Sequence, residues 1–110
     1  MITKGVLIGF GLALAVAGTA RSQQPVNAAS LFSRNCASCH GAKGSPSAAM
    51  AHSMGVPDFS KPATLAAISD SVLRATVANG KGRMMAAFKG RLKPAEIDSL
   101  VAYIRTFGRP

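Results

Sequence analysis

Both cysteines of the chain lie in one short segment, Cys36-Ala37-Ser38-Cys39-His40. On a helical turn, Cys36 and Cys39 lie on the same face, so both thiols can add to the two vinyl groups at one edge of a haem. His40 follows directly, and its imidazole can reach the iron from beneath the ring. The spacing C-x-x-C-H is typical of covalent haem attachment in exported proteins. The segment therefore predicts one haem c bound through Cys36 and Cys39, with His40 as an iron ligand.

Two other chemistries use the same residue types, and both fit the sequence less well. A redox-active disulfide between Cys36 and Cys39 normally belongs to a βαβ segment, of which the sequence shows no sign. A zinc site needs four ligands, and the candidates are these two thiols, His40 and His52. Because His40 follows Cys39 without a spacer, the spacing is unusual for zinc.

A haem iron held by one histidine takes a second axial ligand or keeps an open face. The chain offers five side chains for this position: Met50, His52, Met54, Met84 and Met85. The last two lie in a glycine-rich segment, residues 79–88. A ligand on such a segment can approach iron without disrupting the hydrogen bonds of a helix.

The first twenty residues have the pattern of an export signal. Lys4 precedes an uninterrupted apolar stretch, residues 5–18, and small residues follow up to Ala20. We predict cleavage after Ala20, with Ala17 as the alternative. The stretch is shorter than the about 18–20 residues of a membrane-spanning helix, although an uncleaved N-terminal anchor stays open. Export predicts a periplasmic protein in an oxidising compartment.

The length of 110 residues suits one small domain. We assign residues 1–20 to the signal, 21–26 to a short tail and 27–110 to a single domain. Asn27 and Ser69 are good N-caps, and Pro62 and Pro94 suit the first turn of a helix. Residues 41–61 and 80–93 have the composition of loops. No alternating strand pattern is visible, so the sequence predicts an all-α fold of three or four helices.

The chain resembles the small bacterial class I c-type cytochromes with one haem. The resemblance extends from about Asn27 to Gly108 and rests on four segments: 36–41 (CASCHG), 55–59 (GVPDF), 80–88 (GKGRMMAAF) and 100–105 (LVAYIR). It implies the small cytochrome c fold, with three to four helices around one covalently attached haem. It also implies that the first and last helices cross near Phe32 and Tyr103.

The resemblance further implies roles for two loop residues. Where the family commonly has Met-Pro-x-Phe, this chain has residues 85–88, so Met85 is the implied sixth ligand and Met84 the alternative. Alanine replaces the usual proline. The family also implies that a proline carbonyl accepts a hydrogen bond from the ligand histidine, which fixes the imidazole. Pro57 matches this role better than Pro46.

These expectations define a function. A six-coordinate iron has no free position for a substrate, so it can only accept and return one electron. We predict a soluble exported electron carrier that is a monomer and not an enzyme, and that exchanges electrons between respiratory-type redox partners. Two other functions stay open. Without a methionine ligand the protein would be a five-coordinate haem sensor or peroxidase, and it could also be a haem subunit of a larger oxidoreductase.

The charge of the chain indicates the kind of partner. There are 13 lysines and arginines against 4 acidic residues, a formal charge of +9. Five cations flank the proposed ligand segment with no acid among them: Lys81, Arg83, Lys89, Arg91 and Lys93. They predict a docking surface for acidic redox proteins. We expect no nucleic acid partner and no stable membrane insertion after signal cleavage.

Overall fold

The computed structural model describes residues 5–6, 8–16, 18 and 26–110. The described part of the apolar N-terminal stretch forms no helix or strand and is exposed to solvent, as Phe10 shows with 98% exposure. No helix among the described residues is long and apolar enough to cross a membrane. Ala17 and Ala20, the two predicted cleavage positions, lie outside the described residues, and the export signal stays a prediction.

The described residues form six helices in chain order. They are α1 (Ala28–Asn35), α2 (Ala37–His40), α3 (Ala48–Met54), α4 (Pro62–Ala66), α5 (Asp70–Asn79) and α6 (Pro94–Phe107). Within the described residues the sole β-type pairing is an isolated bridge between Lys81 and Met85. The all-α prediction is therefore confirmed, and the number of helices exceeds the three or four expected.

The additional helix α3 lies inside the segment predicted as a loop, residues 41–61. Its N-cap is Ser47, whose hydroxyl accepts a hydrogen bond from the Met50 amide at 3.2 Å. Gly55, with a φ of 64°, ends the helix in the left-handed conformation. Because the glycines and prolines around this helix dominate the local composition, its seven residues give no clear apolar period.

The helix caps predicted from the sequence form as expected. The side chain of Asn27 accepts from the Ser30 amide at 3.0 Å, and that of Ser69 accepts from the Val72 amide at 3.2 Å. Pro94 occupies the first turn of α6. Lys93 is a poor N-cap residue, but its amide donates to the Glu96 carboxylate at 2.9 Å, which satisfies one of the free N–H groups at this end.

The core lies where α1 and α5 pack against α6. Phe32 of α1 is 1% exposed, and its ring meets Tyr103 edge-on with centroids 5.6 Å apart. The Phe107 ring lies 5.0 Å from Phe32 in a similar edge-on arrangement. The first and last helices thus cross at Phe32 and Tyr103, as the resemblance implied.

The connection between α4 and α5 is tied to α6 by Arg105. Its Nε donates to the Asp70 carboxylate at 2.7 Å, and its Nη1 donates to the Leu65 carbonyl at 2.5 Å. The other guanidinium nitrogen donates to the Ile68 carbonyl. The three nitrogens of the planar guanidinium each reach a different acceptor, a carboxylate and two carbonyls, which a compact ammonium group cannot do with the same spread.

We expect Arg105→Ala to lower the free energy of unfolding by about 1.5–3 kcal/mol, because it leaves two partly buried carbonyls without a charged donor. Arg105→Lys should recover less than half of this loss, since an ammonium cannot reproduce the fork. Arg74→Ala is the control, because Arg74 and Asp98 form an exposed ion pair that solvent screens, so its removal should cost much less stability. Denaturant unfolding of the three variants measures the differences. Equal losses in Arg105→Ala and Arg74→Ala would contradict this role.

Candidate haem site

Cys36 lies at the corner between α1 and α2, and the remaining motif residues form α2 itself. The Cys36 amide donates to the Phe32 carbonyl at 2.8 Å and so ends α1. The Cys36 carbonyl then accepts from the His40 amide at 3.0 Å, which closes one helical turn. The three side chains predicted to hold a haem therefore come from a single turn of backbone, as the i, i+3 spacing requires.

The end of this turn depends on Gly41. Its φ is 81°, a conformation that other residues rarely adopt. A Cβ at this position would lie 2.0 Å from the Ser45 carbonyl oxygen. The chain can therefore turn away from the motif only with glycine here.

A cavity of about 690 Å³ opens beside the motif. Cys36, Cys39 and His40 line one part of it, and Met84 and Met85 line another. Its volume falls in the range of about 300–1,000 Å³ typical of cofactor and ligand sites, and most of its lining is apolar. The two segments predicted to carry the iron ligands thus border the same space.

His40 has the properties of a metal ligand. Burial lowers the pKa of its imidazole below the ordinary value, which favours the neutral form that binds metals. Its Nδ1 atom is buried and has no hydrogen-bond partner. Buried polar atoms seldom stay unpaired, so this imidazole has an unmet requirement for a partner.

The methionine segment is shaped by a tight turn. The Lys81 amide donates to the Met85 carbonyl at 3.0 Å, and the Met85 amide donates to the Lys81 carbonyl at 3.2 Å. The Phe88 amide then donates to the Val77 carbonyl at 3.1 Å and returns the segment to α5. Met85 is half-buried against the core, whereas Met84 is 62% exposed. Both line the cavity, and the greater burial favours Met85.

We expect Gly80→Ala to displace this turn. Gly80 has a φ of 75°, and a Cβ there would lie 2.5 Å from the Met85 carbonyl oxygen. The backbone strain should lower the free energy of unfolding by about 1–3 kcal/mol, and it should displace the segment that carries Met85. The unfolding temperature should therefore fall, and the sulfur-to-iron absorption band of the ferric protein should lose intensity. Gly90→Ala, which meets no atom within 4 Å, should change neither; equal behaviour of the two variants would contradict this.

The remaining predicted candidates fall into two groups. Met50, Met54 and Pro57 line the cavity. His52 is exposed and does not line the cavity, although it lies between the two methionines on α3. The structure forms no hydrogen bond between His40 Nδ1 and the Pro57 carbonyl, so the role of Pro57 stays a prediction.

The competing chemistries find little support in the geometry. No disulfide joins Cys36 and Cys39. Burial raises the pKa of Cys36 to about 11, so at neutral pH this thiol is protonated, whereas disulfide exchange needs the thiolate. Across the part of the chain that the structure describes, no cluster of three or more His, Cys, Asp or Glu side chains could hold a metal ion.

One contributor to the site was not predicted. Phe59 lines the cavity and its ring stacks on the imidazole of His40. Phe59 belongs to the segment 55–59 on which the resemblance rests, but a role was predicted there only for Pro57. The available signal was an aromatic residue two positions after this proline.

A turn that presents two thiols and a neutral imidazole to a large apolar cavity, in a helical fold, defines a c-type cytochrome. The residues fit a haem, because no disulfide joins the two thiols and both of them border the same largely apolar cavity as the imidazole.

Comparison with known proteins agrees with this class. A family model described as "Cytochrome C oxidase, cbb3-type, subunit III" matches residues 23–104. The chain belongs to this family of c-type cytochromes, and it binds one haem c covalently through its C-x-x-C-H motif.

Two kinds of relative share this domain. Cytochrome c6 of Nostoc sp. (strain PCC 7120) is 39% identical over 100 residues, which are 90% of this chain and 86% of that protein. The FixP subunit of the cbb3-type cytochrome c oxidase of Bradyrhizobium sp. (strain ORS 278) is 33% identical over 82 residues, 73% of this chain. The chain spans only 26% of that subunit.

The fold also matches a solved structure. The KustC0563 c-type cytochrome superimposes with a TM-score of 0.68 at 29% identity. The match covers 74% of this chain and 98% of that protein. The fold predicted from the resemblance is therefore confirmed.

Proposed function

We propose that this protein is an exported, monomeric electron carrier whose haem iron is held by His40 and Met85. The observation that carries the proposal is the shared cavity: the motif segment and the methionine segment line the same space. Bound haem c supplies the exchange of one electron between ferric and ferrous iron. A thioether opposite an imidazole favours a high reduction potential and leaves no position for a substrate.

The walls of the cavity suit this role. Aliphatic and aromatic side chains from α1, α5 and α6, among them Phe32, Leu73 and Ile104, exclude water from the space beside His40. Because apolar walls surround the site and the fold holds the ligands, the geometry of the site changes little when an electron is gained or lost. The chain's own contribution is therefore to hold the ligands and limit solvent access.

A second function is favoured by one observation. The chain covers only about a quarter of the FixP oxidase subunit, which places the same domain inside a larger assembly in that protein. The match to cytochrome c6 covers 86% of that protein, so there the domain is nearly the whole molecule. The carrier is preferred because the match to cytochrome c6 has the higher identity, 39% against 33%, and covers more of this chain, 90% against 73%.

Voltammetry of the purified protein tests the carrier directly. We expect a reversible one-electron wave that hydrogen peroxide leaves unchanged, because a six-coordinate iron offers peroxide no binding position. A catalytic current on addition of peroxide would instead identify a haem peroxidase.

The proposed docking surface consists of Lys81, Arg83, Lys89, Arg91 and Lys93, all of which are exposed. Lys81 and Arg91 also line the cavity, so the charge reaches its mouth. The ion pairs formed within the described residues, Arg74–Asp98 and Arg105–Asp70, involve none of these five cations. Their charge is therefore available to attract an acidic redox protein.

Charge reversal on this surface should slow electron transfer with an anionic reagent. We expect Lys81→Glu with Lys89→Glu to lower the rate of oxidation of the ferrous protein by ferricyanide about tenfold at low salt. The difference should shrink above about 0.1 M salt, where the Debye length is about 10 Å. Lys43→Glu with Lys61→Glu is the matched control, because both lysines are exposed, the change in net charge is the same and neither belongs to the docking surface. Equal rates for all variants, or a flat salt profile, would contradict the docking surface.

A further inference from the structure

The imidazole of His40 lies parallel to the ring of Phe59 in a stacked arrangement. The ring centroids are 5.3 Å apart and the two planes differ by only 7°. The aromatic contacts among Phe32, Tyr103 and Phe107 are instead edge-on, with interplanar angles of 60–70°. Parallel planes make the orientation of one ring depend on the other.

Phe59 is itself held firmly. It is 5% exposed, and its amide donates to the Gly44 carbonyl at 2.8 Å. Gly44 is buried with a φ of 78°, and a Cβ there would lie 3.0 Å from Cβ of Phe59 and 2.6 Å from the Phe107 ring. The backbone of Phe59 thus packs closely against a glycine that nothing larger can replace.

His40 has no comparable restraint of its own. Its Nδ1 has no hydrogen-bond partner, so no hydrogen bond at that atom fixes the rotation of the imidazole. In many metal sites a hydrogen bond to the second ring nitrogen provides this control. Here the flat contact with Phe59 is the feature that restricts the ring.

We infer that Phe59 is a positioning residue that sets the plane of the His40 imidazole and, through it, the properties of the iron. The inference rests on the proposed ligation by His40. Ferric iron draws electron density from its imidazole ligand, and the electron-rich face of a benzene ring stabilises the resulting positive charge. The stack therefore stabilises the ferric state and lowers the reduction potential.

Phe59→Leu tests this role, because leucine keeps an apolar side chain but has no ring face. We expect its reduction potential to rise and the g-value anisotropy of the ferric protein, which depends on the ligand plane, to change. Phe59→Tyr keeps the ring and should restore both values towards those of the wild type. Phe107→Leu removes a ring that contacts the same glycine without stacking on His40, and it should lower stability while leaving both values in place.

The outcomes separate this inference from the proposed function. A low-spin wild-type protein whose potential and g-values do not move in Phe59→Leu would overturn the positioning role alone. The same would follow if Phe107→Leu moved them equally, since the effect would then be one of general packing. A wild-type protein with five-coordinate, high-spin iron would instead overturn the proposed ligation by Met85, while a potential that still rises in Phe59→Leu but not in Phe107→Leu would support the role of Phe59 towards His40.

Discussion

Replacing Cys36 and Cys39 together by serine should yield a colourless polypeptide with no covalent haem. Both thiols lie on one turn at the cavity, and serine cannot form the thioether bonds. Haem content should fall from one per chain to none. Mass spectrometry of the denatured protein measures this directly, because covalent haem remains attached after unfolding.

The same variant should also lose the fold. Without haem, the apolar walls of the cavity of about 690 Å³ lose the group that packs against them and face water instead. A small domain has a free energy of unfolding of only about 5–15 kcal/mol, so it is sensitive to such a loss. Helical circular dichroism should therefore drop sharply. Ser38→Ala, at an exposed position inside the motif, should keep both haem and helices. A double variant that still carries haem after denaturation would contradict the assigned attachment.

Replacing Met85 by alanine should have the second largest effect, this time with the haem retained. The ferric protein should lose the near-infrared band that reports sulfur bound to iron. The reduction potential should fall substantially, since axial ligands can set haem potentials over a range of about 0.8 V. Absorption spectroscopy and potentiometric titration measure the two changes.

Met84→Ala provides the matched control for this prediction. Met84 is the adjacent residue, lines the same cavity and is 62% exposed, so its loss removes a similar side chain without removing the proposed ligand. The near-infrared band that reports sulfur bound to iron should persist in Met84→Ala. If the band instead disappears in Met84→Ala and persists in Met85→Ala, the two assignments are exchanged. If both variants keep it, Met50 and Met54 become the candidates, because both line the cavity.

Local patterns predicted most of the helices and the haem-binding motif. Helix starts were predicted correctly at Asn27, Ser69 and Pro94. A residue that starts a helix interacts with the first helical turn only, so the residues involved are neighbours in the sequence. The thiols and His40 come together for the same reason. Helix α3 was missed because its cap, Ser47, lies among glycines and prolines that indicate a loop.

Contacts between distant segments could not be predicted in the same way. Phe59 stacks on His40 although 18 positions separate them, and the approach depends on the close packing at Gly44. The Arg105 fork likewise joins α6 to carbonyls about 40 positions earlier. Such contacts depend on how helices pack, and the apolar period of a helix indicates only which face is buried.

Carbon monoxide binding to the ferrous wild-type protein tests directly whether residues of this chain close the iron on both sides. Carbon monoxide binds ferrous haem with an open position and competes poorly with a held thioether. We expect the absorption spectrum to stay unchanged when carbon monoxide is added at neutral pH. Rapid formation of a carbon monoxide adduct would contradict it and would identify a protein with an open iron site.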